Sequence, residues 1–102
     1  MDRRLQLNQL LSEVPGVVDV YFQPPENVRM AYPCIRYYRG RPKVDRADDV
    51  AYHFTDCYEL IVIDFDPDSE IARYIVEHFP MATINATYVS NNLYHTPITL
   101  YY

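Results

Sequence analysis

Asp64, Asp66, Asp68 and Glu70 place a carboxylate at every second position. A cluster of that kind is what a hard divalent cation such as Mg²⁺ or Ca²⁺ binds. The spacing falls short of a dedicated calcium loop. An EF-hand beginning at Asp64 needs Gly at position 69 and Glu at position 75, and the chain has Ser69 and Ile75 there. Metal-assisted hydrolysis built on the Asp64, Asp66 and Asp68 corner is the catalytic alternative, and it lacks a lysine or histidine at a natural spacing to act as base. Helix capping explains the same residues more simply. Asp66 stands where an N-cap belongs, Pro67 follows at the first helical position, and Asp68 and Glu70 face the positive end of the helix dipole.

Other reactive types are scattered. His53, His78 and His95 form no HExxH pair and have no cysteine at zinc spacing, so they read as surface or packing residues. Cys34 and Cys57 fall in apolar strand surroundings that suppress thiolate chemistry, and they read as free buried thiols of a reducing compartment. With only Gly16 and Gly40, the chain has no phosphate-cradling loop. No catalytic residue, metal site or cofactor is expected. Positive charge concentrates at Arg36, Arg39, Arg41, Lys43 and Arg46, interleaved with Asp45, Asp48 and Asp49. Mixed charge of this kind suits pairing with an identical or related subunit better than gripping phosphates.

The elements that must hold these residues follow from periodicity. Leu60 to Phe65 is nearly all apolar, too short for a helix and rich in β-branched residues, which predicts a central strand covered on both faces. Ile71, Ile75 and Phe79 then recur at fourfold spacing, Tyr74 and Val76 widen the stripe, Arg73 and Glu77 pair at i,i+4, and Pro80 stops the helix. Before this unit, Leu7, Leu10, Leu11 and Val14 make the apolar face of a first helix ended by Pro15 and Gly16. Residues 17–23 alternate as a strand that Pro24 and Pro25 terminate. Pro33 opens a strand over residues 34–40, with Ile35 and Tyr37 on a dry face and Arg36 and Tyr38 on a wetter one, as at an edge or a solvent-facing strand. Residues 41–53 show no period of 2 or 3.6 and read as a long, charged, exposed hairpin loop. Such loops are uncommon in small domains unless functional, so Arg39, Arg41, Lys43, Asp45, Arg46, Asp48 and Asp49 are the candidate contact residues. Residues 81–89 alternate as a strand, Asn91 and Asn92 supply a turn that tolerates positive φ, and residues 93–102 return as a last strand whose Pro97 implies an edge or a bulge.

The expected fold is therefore a single α+β domain over residues 1–102, in the order αβββαββ. A mostly antiparallel sheet of about five strands carries both helices on one face, with a long charged arm between the second and third strands. A chain of 102 residues buries roughly 65% of its unfolded surface, enough for a core without staples. The formal charge of −5 is the wrong sign for counterion-driven nucleic-acid binding, and no sequence-specific contact to nucleic acid is expected. No stretch has the length or apolarity of a signal peptide core or membrane span, so no membrane partner is expected. Eleven tyrosines suit half-buried surfaces, in a sheet or against a partner.

Four groups of residues together resemble a known family: Tyr32-Pro33-Cys34-Ile35 opening a strand; Tyr58-Glu59-Leu60-Ile61-Val62-Ile63-Asp64; Asp66-Pro67-Asp68-Ser69 leading into a helix; and Ser90-Asn91-Asn92-Leu93-Tyr94-His95 before the terminal strand. The chain from about Tyr32 onward resembles the small tail-completion or tail-terminator proteins of long-tailed bacteriophages, and neck and head-completion connectors share its size and texture. The resemblance implies a structural virion protein assembled in the host cytoplasm. Its subunits would form a ring, hexameric in the family, on the head-proximal end of the tail tube, end tube polymerisation and prepare head-tail joining. The implied partners are the chain itself, the tail tube protein and a head-completion or neck protein, with DNA passing through the ring. Closed rings use heterologous interfaces that bury edges and arms, and an acidic subunit lines a channel without trapping DNA.

Overall fold

A mostly apolar strand is stable where neighbours satisfy its backbone on both sides, and Cys57–Asp64, apolar except at Glu59 and Asp64, is placed so. The computed structural model describes residues 3–25, 29–41, 43–47 and 50–102, with the side chains of residues 43–47 and 50–55 left out of the description. Along the described chain run α1 (Arg3–Ser12), β1 (Asp19–Phe22), β2 (Cys34–Arg39), β3 (Lys43–Ala47), β4 (Val50–Thr55), β5 (Cys57–Asp64), α2 (Glu70–His78), β6 (Ala82–Ile84), β7 (Tyr88–Ser90) and β8 (Leu93–Tyr101). The main sheet has six strands in the order β1-β2-β5-β8-β6, with β7 also pairing β8. β5 is central, as its composition predicts.

The α+β class holds, with three differences from expectation. The sheet is mixed, because β1 runs parallel to β2 while every other pair in it is antiparallel. The expected strand over residues 81–89 is broken into β6 and β7. The charged loop after β2 contains two strands of its own, β3 and β4, which form a separate antiparallel pair.

Both helices lie on one face of the sheet. Leu7, Leu11 and Val14 from the first helical segment and Ile71, Ala72, Ile75 and Phe79 from α2 share a core with Ile35, Tyr37, Tyr58, Leu60, Val62, Ile98 and Leu100. Leu10, expected inside, is 40% exposed, so the apolar stripe of α1 is narrower than its leucines suggest. α1 is also held by polar contacts: the Tyr37 hydroxyl donates to Asn8 Oδ1 at 2.7 Å, and Arg4 lies 4.3 Å over the Phe22 ring. Gly16, at φ 91°, turns the chain out of this segment, and an L-residue there would be strained.

The opposite face is only partly covered. β5 is dry on the helix side at Tyr58, Leu60 and Val62, but on the other side only Cys57 and Ile63 are buried, Ile61 is half-buried and Glu59 is exposed. Ile63 joins Cys34 and Leu93 in a small second cluster, against which Tyr21, Met30, Tyr32 and Ile61 pack. The expectation of burial on both faces thus holds for one end of the strand. The wet face of β2 has the same origin: β2 is an interior strand, and Arg36 and Tyr38 belong to the sheet's open side.

Pro97 also has a structural reason. Tyr101 donates its N–H to Met81 O and Pro97 O accepts from Asn85, so odd-numbered residues of β8 turn their peptide groups toward the outer strands. The proline nitrogen therefore faces the break between β6 and β7, where no ladder bond requires an N–H. After β7, Asn91 and Asn92 take φ 53° and 63°, the positive angles expected of a two-residue hairpin turn.

Candidate interface

The acidic corner is organised by its own backbone. Asp64 Oδ1 accepts from the N–H of Phe65 at 2.7 Å and of Asp66 at 3.3 Å, and its Oδ2 accepts from Ser69 Oγ at 2.8 Å. Asp66 Oδ1 accepts from Asp68 N–H at 2.9 Å. Here expectation is corrected: Asp66 is not the N-cap and Pro67 is not the first helical residue. Ser69 is the N-cap, its hydroxyl is turned back to Asp64 instead of to the helix, and α2 starts at Glu70. Asp66 accepts the N–H two residues on, as a cap would, but Pro67 and Asp68 form a turn and the helix begins beyond them. Among the described residues no three His, Cys, Asp or Glu side chains converge as metal ligands would. Further along, Arg73 Nε meets Glu77 Oε1 at 3.0 Å, the predicted i,i+4 pair.

The other chemical candidates are accounted for by packing. Cys34 and Cys57 sit in neighbouring strands but at opposite ends of the pair, Cys34 facing Ile63 and Tyr58 facing Arg39, and both thiols are free. Burial pushes Cys34 up to about 11, with the Arg36 charge opposing and Asp19 adding; burial raises Cys57 as well, helped by Glu59. Neither is a nucleophile near neutrality. His78 stacks on Tyr74 at 3.8 Å and contacts Tyr74 O, and His95 is buried against the Tyr88 ring at 5.0 Å. The side chain of His53 lies outside the described residues.

The candidate contact residues divide. Arg39 belongs to the body: its guanidinium lies 5.7 Å over Tyr58 and 5.9 Å over Phe22. Beyond it, Gly40 donates to Cys57 O at 2.8 Å, and Arg41 is exposed. Lys43, Asp45 and Arg46 fall on β3, opposite Thr55, His53 and Ala51 of β4, with a bulge between Asp45 and Arg46. Asp48 and Asp49 lie outside the described residues. In place of an unstructured loop, the segment is a two-stranded ribbon continuing the β2–β5 pair. The signal was present in the alternation of Val50, Tyr52 and Phe54, a period of 2 cut short when the loop was bounded at His53. The ribbon makes the molecule long, 50 × 24 × 23 Å, with a radius of gyration of 14.5 Å where a compact chain of this size has about 13 Å.

Two further surfaces were not visible in the sequence. The open sheet face carries Tyr21, Tyr38 and Tyr101, all half-buried, beside Arg36, whose guanidinium meets the Tyr38 hydroxyl. The outer edge exposes Ile84, Tyr88 and Val89, at 44%, 45% and 62%. Comparison with protein-family models, with curated proteins and with solved structures finds no match to this chain.

Proposed function

We propose that the chain is a structural subunit of a long-tailed phage virion, of tail-completion or tail-terminator type, that works as a ring of identical copies and performs no catalysis. The observation that carries this reading is the β3–β4 ribbon, which forms a sheet of its own beyond the six-stranded body. A paired ribbon with charged residues on a small acidic subunit is an arm for a neighbour, since isolated two-stranded sheets gain little stability alone. The tyrosine-bearing open face and the unpaired outer strands add surface of the kind that subunits bury on assembly. The family-like residues fall at the root of β2, along β5, at the acidic corner and in the β7–β8 turn, all framework positions.

In this reading the ring caps the head-proximal end of the tail tube, stops its growth and offers a surface to the head. The ribbon makes the contact to the next subunit or to the tube protein. Molar mass by light scattering over a concentration series, followed by negative-stain imaging, tests the ring: a discrete multimer with a central hole is expected. Binding of that multimer to purified tail tubes then separates a terminator from a neck or head-completion connector, which would bind the head side instead. A chain that stays monomeric both alone and with tube ends present would sink the reading.

A further inference from the structure

We draw no further inference here: the strongest candidate, the open face of the sheet around Tyr21, Arg36 and Tyr38, sets Asp19 and Glu59 on the same side as the Arg36 guanidinium and so has no charge preference that names a partner, and nothing in the structure shows what covers it.

Discussion

Gly40 donates its N–H to the carbonyl of Cys57 at 2.8 Å, and a Cβ added to it would stand 2.9 Å from Cys57 Sγ and 3.3 Å from Glu59 Cγ. This close approach is the root of the ribbon, where the β2–β5 pair passes into β3–β4. Gly40→Ala is expected to push the thiol and the Glu59 stem aside and to destabilise the fold by about 1–3 kcal/mol, as overpacking does. For a domain this size that lowers the melting temperature by several degrees, about 4–8 °C per kcal/mol. A variant melting like wild type would show that the root yields without cost.

Arg39 and its neighbours along the ribbon are expected to fail differently. Arg39→Glu removes a guanidinium stacked on Tyr58 and Phe22, so it should lower the melting point by about 0.5–2 kcal/mol of stability. Reversal of Arg41, Lys43 and Arg46 should leave the melt within about 0.5 kcal/mol of wild type, as surface changes do, while assembly is lost. Parallel melts and light-scattering masses separate the two behaviours. Equal effects on both readouts would mean that the ribbon is part of the core structure and not an arm.

Asp64 holds the strand-to-helix corner with three accepted hydrogen bonds. Asp64→Ala removes these bonds, two of them exposed to water, and is expected to cost about 0.5–1.5 kcal/mol, with Asp64→Asn losing less because one oxygen remains. Since these oxygens already serve the chain, millimolar Mg²⁺ or Ca²⁺ should shift the wild-type melt by less than about 1 °C. Ligand linkage makes this decisive, because a cation at 100 times its Kd adds about 2.7 kcal/mol. A rise of several degrees would revive a metal role for the corner.

Cys34 makes a pH-dependent contribution whose sign is fixed by its burial. In the unfolded chain the thiol ionises near its ordinary value of 9.0, whereas in the folded chain it keeps its proton to about 11. Below pH 9 both states are protonated and the group adds no pH dependence. Between about 9 and 11 only the unfolded state gives up its proton, so stability falls, by at most about 2–3 kcal/mol at about 1.4 kcal/mol per unit. Urea unfolding of wild type and Cys34→Ala at about pH 8 and about pH 10.5 isolates this from the tyrosines. The stability gap between the two should narrow at the higher pH, and a constant gap would contradict the assignment.

Much of the frame was legible because it is local. The β-branched run at Leu60 to Phe65 identified the central strand, Ile71, Ile75 and Phe79 gave the buried side of α2, and Asn91 and Asn92 marked their turn. What escaped depends on competition or on distance. Asp66 has the look of a cap and does accept the Asp68 N–H, but that bond closes a turn over Pro67 and Asp68, and the helix starts only at Glu70. Leu10 fits a helical stripe, yet α1 buries only Leu7 and Leu11, and Val14 joins the core from beyond the helix. That β1 runs parallel to β2 is a matter of pairing between strands, which no periodicity within either one encodes. The ribbon was legible in its charges and not in its strands, since its alternation has no core to point into.

Pro97 and the gap it faces set a limit on how copies of this chain can join. β6 and β7 each offer only three residues of free backbone, separated by Asn85 to Thr87. Stacked cross-β growth draws on uninterrupted segments of about six or seven residues without proline. This margin is too short and too broken to template a fibril, even though it displays Ile84, Tyr88 and Val89. In the proposed ring, copies meeting at this margin would be recognised by side-chain fit, and the size of the assembly would be set by the geometry of a closed contact and not by open-ended addition of strands.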